Sequence, residues 1–212
     1  HAWQSEIVGV LKGLGFSEED FEKQISFIME LDKIKKITRQ TYLSDGSRKE
    51  NDAEHSWHLA LSAILLKEHM DAPVDLMKVI VMVLIHDLVE IDAGDTYAYD
   101  SEGTKSKRER ELKAAERIFG ILPKDQGTYF RSLWDEFEEY STEDAKFAHL
   151  LDNFQPLLLN DASDGKSWAE HGVHKAQVCK RNERIADTSD IVWEKMLEIM
   201  DKHVEKGNLK NV

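Results

Sequence analysis

The chain has 212 residues, the length of one substantial domain, and its 28 basic and 41 acidic residues give a net charge of -13. An acidic surface of this size argues against a broad phosphate-backbone footprint, so we expect no nucleic-acid partner. The longest apolar run is far too short for a membrane span, and the first residues lack the pattern of a signal peptide. Cys179 is the single cysteine, which excludes an intramolecular disulfide and predicts a reducing, cytoplasmic location.

Apolar residues at helical spacing, together with only three prolines, predict an all-α fold with one domain over residues 1–212. The first helix is predicted from Trp3 to Leu14. The second follows an N-cap at Ser17 and continues to about Leu31. Its predicted buried face consists of Phe21, Ile25, Ile28 and Met29. Residues 32–52 are not periodic, and we interpret them as a basic loop with a turn at Ser44-Asp45-Gly46.

The next two predicted helices carry polar residues within apolar surroundings. Asp52 is expected to cap a helix from Ala53 to about Met70, and Pro73 to start a helix that ends at Gly94. The residues expected to face the core from the first of these helices are Trp57, Leu59, Ala60, Ala63, Ile64 and Leu65.

The second half of the chain also predicts helices. Residues 106–120 form a charged helix that we expect to be exposed, and residues 124–140 form another. The helix that opens at Thr142 is apolar nearly all round and is therefore expected to be central. The last helix, residues 175–206, is expected to be broken near Asp187. Its predicted inward residues are Ile185, Ile191, Val192, Met196, Ile199 and Met200.

The stretch Ile80–Asp95, which reads IVMVLIHDLVEIDAGD, carries the strongest functional signal. It delivers His86 and Asp87 at the end of an apolar helix, where charged groups are rarely buried unless they are paired or bound to a metal. His55 and Asp152 occupy similar apolar contexts on other helices. Two imidazoles and two carboxylates are a plausible ligand set for one divalent metal. Adjacent helical residues diverge by about 100°, so His86 and Asp87 need a local adjustment to share one ion.

The order H…HD…D, formed by His55, His86-Asp87 and Asp152, resembles the HD-domain metal-dependent phosphohydrolase superfamily. The local sequences that carry the resemblance are KENDAEHSWHLA, HDLVEIDAGD and LLDNFQPLLLN, with WAEHGV (residues 168–173) typical of one subgroup. Within the superfamily the chain is most similar to the YfbR-like 5'-deoxynucleotidases and related HD hydrolases. The matching segments lie between about residues 30 and 185.

The resemblance implies a helical bundle in which one divalent cation is held by His55, His86, Asp87 and Asp152. The cation is not specified beyond Mn, Co, Mg, Fe, Ni or Zn. It also implies hydrolysis of a small phosphomonoester, typically a deoxynucleoside 5'-monophosphate, and it suggests a homodimer. By the same resemblance, Glu90 and Asp95 match two catalytic acids, and Arg39 matches a substrate-binding arginine. The family's tryptophan near that arginine is missing from the sequence Arg39–Tyr42, which leaves the base and sugar preference open.

The roles of the last three residues also follow from chemistry, although each has a structural alternative. Glu90 lies one helical turn after His86, where it can orient or deprotonate a water, or instead hold a ligating imidazole. Asp95 can assist the leaving oxygen or fix the sugar, or be a turn residue. Arg39 offers a bidentate fork for phosphate, or forms a surface salt bridge. His58 is interpreted as a residue that lines the cleft or packs beside it.

Two other functions remain open at this stage. The first is hydrolysis of guanosine alarmones or another nucleotide, although Ile91 after Glu90 departs from the adjacent acids of those relatives. The second is a non-catalytic nucleotide-binding module in which the metal only joins the helices.

Overall fold

The computed structural model describes residues 17–95 and 106–211, so the helix predicted over Trp3–Leu14 lies outside the described residues. The described part is a helical bundle with one small antiparallel hairpin, which confirms the predicted fold class. The helices are α1 Glu18–Leu31, α2 Asp52–Leu66, α3 Leu76–Ile85, α4 Glu90–Ala93, α5 Lys107–Phe119, α6 Lys124–Glu139, α7 Glu143–Ala162, α8 Lys166–His171, α9 Lys175–Asn182 and α10 Asp190–Glu205. None of these helices combines the length and the apolar character that crossing a bilayer requires.

The segment predicted as a loop, residues 32–52, is in fact ordered into a 3₁₀ turn, Asp32–Lys36, and a hairpin of strands β1, Thr38–Tyr42, and β2, Lys49–Asn51. The strands pair in antiparallel register, and the predicted turn lies between them, with Gly46 at a φ of 68°. Most of the strand residues are only partly buried. An alternating apolar pattern is therefore missing, and the sequence gives little strand signal.

The hairpin is fastened to α8 at its far end. The Tyr42 hydroxyl donates a hydrogen bond to Glu170 at 2.9 Å, and the Lys166 ammonium donates to the Gly46 carbonyl at 3.0 Å. The same ammonium lies 4.0 Å from the centre of the Tyr42 ring, a cation–π contact. These contacts hold β1, and with it Arg39, in a defined position above α7.

The N-terminus of α2 differs from the prediction by one residue. Asn51, not Asp52, is the cap: its side chain accepts from the Glu54 N–H at 3.0 Å, and the Glu54 carboxylate accepts from the Asn51 N–H at 3.1 Å. This reciprocal pair is a capping box. Asp52 is therefore the first helical residue, and its side chain is fully buried on the interior side.

Some of the predicted inward faces are wrong. On α1 the residues Phe21, Ile25, Ile28 and Met29 are between 40% and 65% exposed, whereas Phe27 enters the core. The other residues predicted inward but found exposed are Trp57, Ile64, Leu65 and Ile191. Helices α1 and α2 carry apolar side chains on more than one face, so periodicity alone does not identify the face that neighbours cover.

The helix predicted from Pro73 to Gly94 is divided. Helix α3 begins after the N-cap Asp75 and ends at Ile85, and a 3₁₀ turn covers His86–Val89. Helix α4 ends at Ala93, and its C-cap is Gly94, whose φ is 74°. The turn changes the backbone geometry at the two residues that were expected to need an adjustment. The fully buried Trp134 of α6 donates its indole N–H to the His86 carbonyl at 3.1 Å, which supports the irregular turn.

Helix α7 is central, as predicted, and buried residues lie along most of its length. Helix α5 is not simply exposed, because one of its faces is buried through Ala114, Ala115, Ile118 and Phe119. The predicted break near Asp187 is confirmed by a 3₁₀ turn, Glu183–Asp187, between α9 and α10. The core under the site is thus formed by α2, α3, α6 and α7, and the packing of these helices positions the polar side chains of the site.

Candidate metal centre

The four predicted metal ligands converge at one point. His55 comes from α2, His86 and Asp87 come from the 3₁₀ turn, and Asp152 comes from α7. The His55 Nε2 atom lies 3.1 Å from Asp152 Oδ1, and the His86 Nε2 atom lies 3.0 Å from Asp87 Oδ2 and 3.5 Å from Asp152 Oδ1. Both imidazoles are almost completely buried. Donor atoms of His55, His86 and Asp152 lie within 4.8 Å of one another, and Asp87 Oδ2 adjoins them at 4.0 Å from His55 Nε2 and 3.0 Å from His86 Nε2.

Hydrogen bonds outside this space fix the tautomer of His55. Gln155 donates its Nε2 to the Glu50 carboxylate at 2.8 Å, so the Gln155 oxygen faces His55 and accepts from its Nδ1–H at 2.9 Å. The Nε2 lone pair of His55 consequently points at the shared space. His58 contacts the same Gln155 amide at 3.1 Å and is therefore a neighbour of the ligand set. An outer partner of this kind is typical of metal-binding histidines.

His86 is oriented in the same way by the backbone. Its Nδ1–H donates to the Val83 carbonyl at 2.9 Å, which leaves Nε2 as the atom that faces the acids. That buried Nε2 has no hydrogen-bond partner among the described residues. An unsatisfied imidazole nitrogen directed at two carboxylates fits a divalent cation, and the mixed N/O donor set suits several first-row metals. The residues present therefore fit the cation that the sequence predicts.

The pKa shifts of the site residues also indicate that the site favours positive charge. Burial opposes ionisation of Asp152, but the adjacent imidazoles of His55 and His86 hold its pKa well below the usual value. Burial lowers the pKa of His86, yet the charge of Asp87 and the contact with Asp152 raise it well above normal. The carboxylates thus stay charged, and the imidazoles are driven to supply protons. A bound divalent cation would supply this positive charge without protonation of the imidazoles.

A second acidic group adjoins the first. Asp52, Asp87 and Glu90 bring carboxylate oxygens within 4.8 Å of one another. Arg39 from β1 lies against them, with its Nη1 at 2.6 Å from Asp87 Oδ2 and 3.2 Å from Asp52 Oδ1. The Arg39 side chain is 14% exposed, so it belongs to the interior of the site rather than to a surface ion pair.

The crowding of these acids disfavours their simultaneous ionisation. Burial, followed by the charges of Asp87 and Asp52, raises the pKa of Glu90 to about 11. Burial and the charge of Asp87 raise the pKa of Asp52 to about 7. Burial also raises the pKa of Asp95. Perturbed carboxyl groups in a cleft are a common property of catalytic sites.

These groups open into a cavity of about 250 Å³ that runs along α7. Its metal end contains Arg39, Asp87, Glu90, Asp95 and Asp152, so all the predicted site residues except the two buried imidazoles line it. The lining residues that the sequence did not identify include Lys107, Asn153, Asn160, Arg181 and Asn182. Asn160 lies eight residues after Asp152, two turns along the same helix, and this spacing is the one signal that points to it.

Comparisons with known proteins identify related chains. The HD domain family matches residues 31–193. The human 5'-deoxynucleotidase HDDC2 is 26% identical over 144 residues, which are 68% of this chain and 69% of that protein. A crystal structure of a predicted metal-dependent phosphohydrolase from Magnetospirillum magnetotacticum MS-1 is 48% identical, with a TM-score of 0.87 over 92% of this chain and 97% of that one. An HD-domain phosphohydrolase from Listeria innocua, 19% identical with a TM-score of 0.54 over 85% of each chain, shares the fold.

The chain therefore belongs to the HD domain family, which confirms the resemblance drawn from its motifs. The fold, the metal-binding geometry and these relatives together define its class as a metal-dependent phosphohydrolase of the HD type.

Proposed function

We propose that the chain releases phosphate from a nucleoside 5'-monophosphate, with the deoxynucleotides as the first candidates. The observation that carries the proposal is the position of Arg39, a buried guanidinium beside the predicted metal ligands in a cavity that continues along α7. The 5'-deoxynucleotidase name of the human relative supports the same substrate class. The partner is accordingly a small phosphorylated metabolite rather than a nucleic acid or a membrane. The homodimer and the cytoplasmic location stay predictions.

In this proposal His55, His86, Asp87 and Asp152 hold the divalent cation. When bound, such a cation supplies Lewis-acid polarisation of a phosphoryl oxygen and lowers the pKa of water. The protein holds the donor atoms of the ligand side chains in position before the cation binds. Gln155 and the Val83 carbonyl hold the two imidazoles, so little rearrangement is needed.

Arg39 is proposed to bind the phosphate. Its Nη1 is engaged by Asp52 and Asp87, whereas its buried Nε has no hydrogen-bond acceptor in the described part of the chain. A guanidinium that is anchored through Nη1 can present Nη2, which lies 3.8 Å from Asp152 Oδ1, to a phosphate oxygen as a charge-assisted donor. Lys107, at the same end of the cavity, adds positive charge where the phosphate dianion would lie.

Glu90 and Asp95 are proposed to handle protons and the sugar. Glu90 follows His86 by one turn, lines the cavity and has a buried oxygen, Oε2, without a partner among the described residues. Beside a bound cation the Glu90 carboxyl would ionise more readily than in the metal-free site, so it could take a proton from the attacking water and return one to the leaving oxygen. Asp95, further along the same lining, can accept a hydrogen bond from a sugar hydroxyl.

The test measures phosphate release from a panel of ribo- and deoxynucleoside 5'-monophosphates with added Mn²⁺, Co²⁺ or Mg²⁺. We expect release by the wild type, loss with Asp87→Ala, and unchanged release with Glu139→Gln, a change of an exposed acid at the end of α6. Bound metal without release from any monophosphate would overturn the proposal. Tight nucleotide binding without release would favour the non-catalytic module, and release from a guanosine alarmone alone would favour that alternative.

A further inference from the structure

The end of the cavity away from the metal ligands presents two fixed hydrogen-bond acceptors. Asn160 donates its Nδ2 to the Pro156 carbonyl at 2.9 Å, and Asn182 donates its Nδ2 to the Val178 carbonyl at 2.7 Å. A carbonyl only accepts, so each amide nitrogen must face the backbone and each amide oxygen must face away from it. The usual uncertainty about amide orientation is thereby removed for both residues.

These two amide oxygens lack donors. Asn160 is 6% exposed and Asn182 is 3% exposed, and neither Oδ1 atom has a hydrogen-bond partner in residues 17–95 and 106–211. Both side chains line the cavity. Leaving a buried acceptor unsatisfied destabilises a protein, so such atoms are expected to meet a donor from a ligand or from water. The fold therefore keeps two acceptors in place without using them itself.

Helix α7 sets the distance between these acceptors and the metal end. Asp152, Pro156 and Asn160 follow one another at four-residue intervals, so they lie on neighbouring positions of one helix face and all line the cavity. Eight residues of α-helix span about 12 Å. A nucleoside 5'-monophosphate separates its phosphate from its base by a ribose and has a comparable length. Asn153, with its own unpartnered Oδ1, lies at the start of this interval.

The walls beside the two amides suit a flat aromatic ring. Leu157, Trp168 and Val178 line the cavity there and are themselves almost completely buried. The guanidinium of Arg181, next to Asn182 in the sequence, also lines the cavity and is a hydrogen-bond donor only. A ring that enters this space would meet the apolar edges of these three residues, the two asparagines and one cationic donor group.

We propose that this end of the cavity is a nucleobase subsite that selects bases bearing N–H donors, with guanine as the best match. The proposal rests on the proposed function and names its base preference. Guanine presents N1–H and an amino group on one edge, which can satisfy both asparagine oxygens, and O6 with N7 on another, which arginine recognises bidentately. Adenine and cytosine present one amino group each, and thymine presents a single ring N–H.

The test compares two substrates that differ in one donor. Inosine 5'-monophosphate is guanosine 5'-monophosphate without the amino group, so its use leaves one buried acceptor unpaired. We expect kcat/KM for the guanosine nucleotide to exceed that for the inosine nucleotide on the order of tenfold or more. In Asn160→Leu and Asn182→Leu the ratio should fall towards one. Gln126→Leu, the same chemical change on the exposed surface of α6, should leave the ratio as in the wild type.

Calorimetric binding of the two nucleotides to the wild type gives a second measurement that depends neither on turnover nor on the variants folding. A wild-type ratio near one in both kcat/KM and affinity would overturn the subsite, and would show that the two oxygens are satisfied by water alone. If both nucleotides are cleaved equally, the nucleotidase proposal stands and the base preference falls. If neither is cleaved but the guanosine nucleotide binds more tightly, the subsite stands and the nucleotidase proposal falls.

Discussion

The two ends of the cavity stabilise buried polar groups by different means. At the metal end, ionised groups face one another: Asp87 and Asp152 are held by Arg39 and by the two imidazoles, and a cation completes the balance. At the other end the two buried acceptors belong to neutral amides, which backbone carbonyls of their own helices fix. The geometry of the first end thus depends on charge and on the bound ion. That of the second depends on two intact helices, so it should tolerate changes that disable the first.

Removal of an imidazole is expected to have the largest effect at the metal end and little effect at the other end. His86→Ala deletes one donor and leaves Asp87 and Asp152 facing each other with less compensation, so we expect loss of the bound metal and a decrease in phosphate release of more than about a thousandfold. Metal content per chain and turnover measure the effect. The relative affinity for guanosine and inosine nucleotides should not change, and a variant that keeps both metal and activity would refute the assigned ligand.

Glu90→Gln separates catalysis from metal binding. The amide preserves shape but cannot transfer the proton, so kcat should fall on the order of a hundredfold to ten-thousandfold. Metal content should remain that of the wild type, because Glu90 is not among the four predicted ligands. Equal losses of metal and kcat would instead assign Glu90 to the ligand set.

Gln155→Leu tests whether the hydrogen bond between His55 Nδ1 and the Gln155 oxygen supports metal binding. Without the amide oxygen the imidazole loses the partner that fixes its tautomer, and metal affinity should fall about 10- to 100-fold. Competition with a chelator of known affinity measures the change. Gln126→Leu serves as the control, and saturating metal should restore most of the activity, which a direct catalytic role for Gln155 would not allow.

Arg39→Lys is expected to have the smallest effect at the metal end. Lysine keeps the charge but loses the planar fork, so KM should rise about tenfold while kcat changes less. The ratio between guanosine and inosine nucleotides should stay the same, since the altered group contacts the phosphate. A changed base ratio with an unchanged KM would contradict the proposed division of the cavity.

The sequence located the metal end more completely than the other end. His55, His86, Asp87 and Asp152 stand out because each is a charged or titratable side chain in an apolar helical context, and their order matches a family motif. Asp52 was missed because a shift of one residue at a helix start turns a side chain by about 100°, from a capping position to the interior. The capping box with Glu54 is the signal that identifies the correct register.

The other residues that the sequence did not identify, and the helix faces that were predicted wrongly, depend on tertiary packing. Asn160 and Asn182 bond to carbonyls four residues earlier, a local contact that any helical asparagine can make. Only the tertiary fold brings the two residues to the lining of one cavity. The exposed faces of α1 and α2 were misjudged for a related reason, because an apolar stripe shows that a face can be covered and does not show which neighbour covers it.

The hairpin between α1 and α2 has a mechanical consequence for substrate length. Its turn is tied to α8 through Gly46 and Lys166, and Tyr42 is tied to Glu170. Arg39 belongs to the same hairpin, and Trp168 belongs to the same short helix α8. The proposed phosphate anchor and one wall of the proposed base subsite are therefore linked through the hydrogen bonds between the hairpin and α8. We expect that a ligand of a different length would displace these contacts, so they would restrict the length of the substrate.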